Sequence, residues 1–141
     1  MSLIYWDTMM FAYWIEGNLR FGPRVKAIRD AIRERDDRLC TSVFTVGETL
    51  AGPQKKNQPE IVNRLLQYFR SSEIEILPFT LTTAEVYSAI RAQYRVLPAD
   101  AIHLATASQA RVDLFITNDH HLQKLHVPGI QFISGLEGKI I

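Results

Sequence analysis

DLFITNDHHL, residues 113–122, runs from an apolar stretch straight into an acid and two histidines. LFIT is long enough for a buried strand and too short for a helix. A polar cluster directly after a buried strand is either an ordinary turn or the rim of a site, and the rest of the chain decides between them. LIYW, residues 3–6, repeats the arrangement, because its short apolar run ends at Asp7. Between these two strands, strand and helix patterns alternate. Val25, Ile28 and Ile32 recur at helical spacing between charged residues and predict a surface helix over 24–36. RLCTSVFT (38–45) reads as a second strand, followed by a short helical stretch, VGETLAG, closed by Gly52-Pro53. Pro59 opens a helix with Ile61, Val62, Leu65, Leu66 and Phe69 on one side, and EIEILPF (73–79) alternates like a strand. Thr82 and Glu85 have capping-box spacing for a helix that turns Val86, Ile90 and Tyr94 inward. A further helix spans 98–111, a short one 120–125, and IQFI (130–133) is the last strand. Such alternation predicts an α/β fold: one domain over 1–141, with a mainly parallel sheet of four to five strands flanked by helices and connected right-handedly.

Composition is compatible with this. The chain has 141 residues, 47% of them hydrophobic, enough for one ordinary domain with a sizeable core. Sixteen Lys and Arg stand against 15 Asp and Glu, which excludes both a disordered chain and a uniformly basic coat for nucleic acid. No apolar run approaches bilayer length, and the start carries no leader pattern, so a soluble, cytoplasmic protein without membrane contact is expected. Cys40, the one cysteine, has no internal disulfide partner and is expected as a small thiol packed in a strand.

In an open parallel sheet, reactive groups collect beyond the carboxyl ends of the strands. Four acids fit this placement. Asp7 ends the first strand, Glu48 lies three residues past the second, Asp119 lies two past LFIT, and Asp100 falls in the first turn of PADAIHLATA. Judged singly, Asp100 is a favourable helix-start charge, Asp119 a helix cap and Glu48 a solvated helix residue. Asp7 is harder to explain in this way, since a carboxylate directly after a buried strand needs partners. Clustered carboxylates repel and raise one another's pKa unless a cation joins them. An all-oxygen donor set suits Mg²⁺ or Mn²⁺, and a metal of that kind suits phosphodiester hydrolysis.

Taken together, LIYWDT, TSVFTVGETLAG, LPADAIHLATA and FITND give a pattern, extending over nearly the whole chain, that resembles the PIN domain, the metal-dependent ribonuclease fold of many prokaryotic toxin–antitoxin toxins. The resemblance implies that Asp7, Glu48, Asp100 and Asp119 bind Mg²⁺ or Mn²⁺, that RNA is cut endonucleolytically, that a cognate antitoxin blocks the acidic site, and that the chain forms a homodimer. Two positions depart from it. Asp7-Thr8-Met9 stands where many relatives have Asp-Thr-Asn or Asp-Thr-Ser, and Leu122 where an aromatic is common.

Thr8, Thr45 and Thr117 adjoin three of the acids and are candidates to orient them, with Thr117 the strongest and counted with the catalytic set. His103, one helical turn after Asp100, is expected to be satisfied by a core or rim hydrogen bond. His120 and His121 are expected as solvent-facing cap residues, and without a Cys partner or HxxxH spacing a zinc site is not expected. Arg20, Arg24, Lys55, Lys56, Arg91, Arg95 and Lys124 are the candidates to hold RNA, single-stranded loops being the expected substrate. The aromatic and Met-rich segment 5–17 has core packing as its first reading and a partner surface as its second. The rival functions are a catalytically silent RNA- or protein-binding module on the same fold, for which Met9 is the clue, and a phosphate-accepting receiver. A receiver calls for an acidic pair after strand one and a lysine after a late strand, and this chain has a lone Asp7 and no such lysine.

Overall fold

The computed structural model describes residues 1–137. Among these, the chain forms β1 (Leu3–Trp6), α1 (Thr8–Ile15), α2 (Gly22–Glu34), β2 (Arg38–Ser42), α3 (Val43–Lys55) and α4 (Pro59–Phe69). It continues through β3 (Ile74–Leu77), α5 (Leu81–Gln93), α6 (Pro98–Ala110), β4 (Leu114–Ile116), α7 (His120–Gln123) and β5 (Phe132–Ser134). All five strands are parallel, in the order β3-β2-β1-β4-β5. The expected α/β class and parallel sheet are therefore present, at the upper end of the expected strand number.

Side-chain alternation divides the core in two. Ile4 and Trp6 of β1, Leu39 of β2, and Leu114 and Ile116 of β4 join the core built with Met10, Phe11, Val25, Ile28, Ile32, Leu65 and Phe69. Tyr5, Cys40 and Phe115, one residue out of phase, join the opposite core with Ile90, Leu104 and Leu122. The register places Tyr5 opposite both Cys40 and Phe115, and its ring stacks on Phe115 at 5.0 Å. Helices α1, α2 and α4 thus cover one face, and α5, α6 and α7 the other. This is what right-handed crossovers produce when the chain runs outward from β1 to β3 and then returns to β4 on the far side of β1. The connections diverge between β1 and β4, so the crevice beyond those two strand ends is where a ligand site is expected. Asp7 and Thr117 stand there.

Several boundaries differ from the sequence reading, each for a local reason. The second strand stops at Ser42 and not at Thr45: Ser42 Oγ accepts the Thr45 N–H at 3.0 Å and caps α3, overriding the β preference of Val43-Phe44-Thr45. Glu48 consequently sits in the second turn of a 13-residue helix. Gly52-Pro53 does not close that helix, which runs on to Lys55, because proline near a helix end removes a single backbone donor. The capping box of α5 is Thr80 with Thr83, hydroxyls and amides exchanging reciprocally, and not Thr82 with Glu85. The last strand is shifted two residues later than IQFI at its start, and α2 starts at Gly22, with Pro23 in its first turn.

The aromatic segment is mostly core. Trp6, Met10 and Phe11 are fully buried and Tyr13 and Trp14 pack against them, whereas Met9 is 48% exposed. Leu122, at the position where an aromatic is common, is fully buried among the α5–α7 core residues. Cys40 is a free, buried thiol, and burial pushes its pKa up so that it stays protonated. Among the described residues no helix is long and apolar enough to cross a membrane.

Candidate functional site

Asp7 is the hinge of the site. It leaves β1 in an extended conformation and caps α1, with Oδ1 accepting the Met10 N–H at 3.4 Å. Its Oδ2 accepts the Thr117 hydroxyl at 2.7 Å. Asp7 is only 9% exposed, and burial pushes its pKa up despite the hydrogen bond from Thr117, the influence of His103 and the amides of Met10 and Met9. A buried carboxylate with two donors fulfils the sequence expectation that Asp7 needs partners.

Thr117 joins two strand ends to two acids. While donating to Asp7, its Oγ1 accepts the Asp119 N–H at 3.1 Å. Asp119 in turn caps α7, its Oδ1 accepting the N–H groups of His121 at 2.8 Å and Leu122 at 3.3 Å. The cap role weighed for Asp119 from sequence is therefore present, and it leaves Oδ2 free of hydrogen bonds among the described residues. Thr117→Val removes the hydroxyl from a buried carboxyl and is expected to cost about 1–3 kcal/mol of stability in a denaturant melt, with Thr117→Ser recovering most of it. An unchanged midpoint in the valine variant would mean that Asp7 draws nothing from the contact.

Glu48 reaches the same edge from α3. Thr8, the first residue of α1, donates its hydroxyl to Glu48 Oε1 at 2.7 Å. His103 Nε2 stands 3.7 Å from the same oxygen. The neighbouring imidazole and the Thr8 hydroxyl hold the Glu48 carboxyl below its usual range, against partial burial. Asp100, half-buried in the first turn of α6, is pushed the other way. Burial raises it most, and the negative charges of Asp119, Asp7 and Glu48 raise it further, with only His103 opposing. Asp100 thus senses all three other acids, and the sequence grouping of four carboxylates at one sheet edge has a physical counterpart.

Other candidates divide. Thr8 supports an acid as the sequence reading allowed, but Thr45 does not. Its Oγ1 is buried among Thr41 at 2.8 Å and Ser42 at 3.1 Å, where it stitches β2 to α3. His103 is buried and bonded to Tyr5 Oη through Nδ1 at 2.7 Å and to Thr8 through Nε2 at 3.2 Å. His121 Nε2 bonds the Arg95 carbonyl at 2.8 Å, and His120 is exposed. Lys56 lines a cavity of about 300 Å³ that opens beside Thr8 and Glu48 between α1, α3 and α4. Arg20 and His120 line a larger one of about 590 Å³ beyond Asn118. Arg91 is engaged with the Tyr87 hydroxyl at 3.0 Å, and Arg24 Nε donates to the Leu136 carbonyl at 2.6 Å. Tyr5 is the contributor that sequence reading missed. Its only signal was its position out of phase with Ile4 and Trp6, facing the helix that carries Asp100 and His103.

The donor set suits a hard divalent cation: four carboxylates, with hydroxyls behind two of them, and an Asp100 raised first by burial and then by the other three acids. Among the described residues no three His, Cys, Asp or Glu side chains stand within reach of one common ion, so the acids frame a site without closing on a point.

Comparison with known proteins identifies the family of the fold. The family model described as PIN domain matches residues 4–127. The fold is similar to the crystal structure of VapBC2 from Rickettsia felis bound to a DNA fragment from their promoter, at 16% identity and a TM-score of 0.74, covering 94% of this chain and 98% of that one. It is similar to DNA-bound VapBC from Salmonella typhimurium at 25% identity and a TM-score of 0.73, covering 96% and 99%. A sarcin-ricin-loop-cleaving toxin, VapC20 from Mycobacterium tuberculosis, superposes with a TM-score of 0.64 at 14% identity, covering 79% and 86%. No curated protein matches the sequence.

Proposed function

The chain belongs to the PIN-domain family, and on that premise we propose that it is a Mg²⁺- or Mn²⁺-dependent endoribonuclease and the toxin of a toxin–antitoxin pair. The observation that carries this reading is the convergence of acids at one strand edge: the Thr117 hydroxyl donates to Asp7 and accepts the Asp119 N–H, Thr8 holds Glu48 at 2.7 Å beside them, and Asp100, raised first by burial, lies close enough to be raised further by all three. Such a cluster is unfavourable alone and favourable around a cation. The similarity to VapBC complexes and to an RNA-cleaving VapC supports the toxin assignment.

Asp7, Glu48, Asp100 and Asp119 would hold the metal, which when bound lowers the pKa of water and neutralises developing phosphate charge. The chain's own residues supply position. Thr117 and the α1 amides fix Asp7, Thr8 fixes Glu48 in its ionised state, and the α7 amides hold one oxygen of Asp119. Asp100 makes no side-chain hydrogen bond among the described residues and stands in the first turn of α6, facing the other acids' edge. Lys56, in the cavity beside Glu48, and Arg20, in the cavity beside Asn118, suit phosphates of a single-stranded loop running past the site. The groove beside Glu48, with apolar walls from Ala12, Ile15, Pro53 and Ile61, suits an apolar segment of the cognate antitoxin, which would cover the acidic rim. Homodimerisation and a cytoplasmic location belong to the same proposal.

The silent-module alternative rested on Met9. Met9 is half exposed, and among the described residues its side chain takes no part in the hydrogen bonds around the four acids; Thr8 supplies the polar contact to Glu48. The discriminating experiment is incubation of a mixed structured-RNA pool with the purified protein in Mg²⁺ or Mn²⁺ and in chelator. Discrete cleavage in metal and none in chelator is expected. Folded, Mn²⁺-binding protein that leaves every RNA in the pool intact would favour the silent module.

A further inference from the structure

The contacts around His103 have a direction. Thr8 has one hydroxyl proton, and its 2.7 Å contact with Glu48 Oε1 takes it, because a carboxylate accepts and does not donate. The remaining 3.2 Å contact, between Thr8 Oγ1 and His103 Nε2, is favourable only when the hydrogen sits on Nε2. A neutral imidazole with its hydrogen on Nε2 presents a lone pair at Nδ1, which must accept from the Tyr5 hydroxyl at 2.7 Å. Tyr5 is fully buried, and burial pushes its pKa up, so the phenol keeps its proton to donate. Two rings brace the imidazole edge-on, Tyr5 at 5.8 Å and Phe44 at 5.6 Å between centroids.

We infer that Tyr5, His103 and Thr8 form a one-way hydrogen-bond relay, Tyr5 O–H to His103 Nδ1, His103 Nε2–H to Thr8 Oγ1, Thr8 O–H to Glu48 Oε1, whose work is to hold the Glu48 carboxylate at the strand edge. His103 is in this account a positioning residue. It is 4% exposed and both its ring nitrogens are engaged, so it acts through Thr8 and not by direct contact. The relay joins β1, α1, α3 and α6, and it couples the buried Tyr5 to the rim of the site. Its consequence for metal binding rests on the function proposed above; the hydrogen placement does not.

Two readouts test it. Long-range ¹H–¹⁵N correlation spectra of the metal-free, ring-labelled wild-type protein, recorded well alkaline of ordinary imidazole titration at about pH 9, report which ring nitrogen carries the hydrogen. The relay requires Nε2–H; Nδ1–H, or a mixture of both tautomers, overturns it. The second readout is Mn²⁺ affinity by electron paramagnetic resonance in His103→Gln and His103→Asn. A glutamine amide nitrogen extends about as far as Nε2 and can still donate toward Thr8, while that of asparagine reaches only as far as Nδ1. His103→Gln is expected to keep most of the affinity, and folded His103→Asn to lose roughly 10- to 100-fold, as when a partner behind a metal ligand is removed. Equal affinity in the two variants overturns the positioning role. Wild-type protein that binds no Mn²⁺ counts against the proposed function instead, and the tautomer still decides the relay.

Discussion

Asp100→Asn is expected to abolish RNA cleavage and, in the absence of metal, to make the protein more stable. Both effects come from one fact: Asp100 is held in partial burial against three like charges. As a metal-holding group its loss should lower cleavage by more than the roughly 10- to 100-fold that removal of a supporting partner costs. As an uncompensated charge its loss should raise Tm, where about 1 kcal/mol corresponds to roughly 2–4 °C in chains of somewhat larger size and more in smaller ones. The pH dependence has a definite sign. Asp100 is raised in the folded state from the ordinary 3.8, so the folded chain binds this proton more tightly than the unfolded one. Below the ordinary value, wild type and Asp100→Asn should melt together. The advantage of the variant should open as pH rises from there through the raised folded pKa, and stay constant above it. Paired melts across that range check the result, and a variant less stable than wild type at neutral pH without metal would contradict it. Asp7→Asn should abolish cleavage equally, with a smaller net stability change because Thr117 donates to the lost carboxylate.

Mn²⁺ should reverse the order of stabilities. An ion that binds only the folded chain adds about 2.7 kcal/mol when present at 100 times its dissociation constant. In wild type this gain comes with relief of the repulsion that raises Asp100; in Asp100→Asn one donor and that relief are both missing, so most of the gain should disappear. A melt of both proteins with and without Mn²⁺ therefore has four values and a required ordering. Without metal the variant is higher, and with metal the wild type is higher. Equal Mn²⁺ stabilisation of the two would remove Asp100 from the metal site.

The placement of the four acids was more legible in the sequence than the edges of the elements that carry them. Asp7 and Asp119 were legible because each follows a strand whose apolar run is unambiguous, and the parallel order places such strand ends side by side. Glu48 was assigned to the right edge although the strand before it ends three residues earlier than its β-branched residues suggest. The deciding feature there, Ser42 capping Thr45, is a single hydrogen bond that competes with a stretch of β propensity. The capping box of α5 was misplaced by two residues because several hydroxyls in FTLTT fit the pattern, and only backbone geometry selects Thr80. Thr8 and Thr117 were recognised as supports by adjacency to acids. Tyr5 was not, since its hydroxyl meets His103 across 98 residues of sequence and nothing local announces the contact.

The central claim, that four carboxylates assemble a metal-dependent ribonuclease, is tested most directly by the ends of the RNA it produces. Hydrolysis by water leaves phosphate on one fragment and a free hydroxyl on the other, whereas attack by the RNA's own 2′-hydroxyl leaves a 2′,3′-cyclic phosphate. End-group analysis of RNA cut by the purified wild-type protein should find linear phosphate and hydroxyl ends in Mn²⁺, and no cleavage in chelator or with Asp100→Asn. Cyclic phosphate ends that persist in chelator would contradict the account.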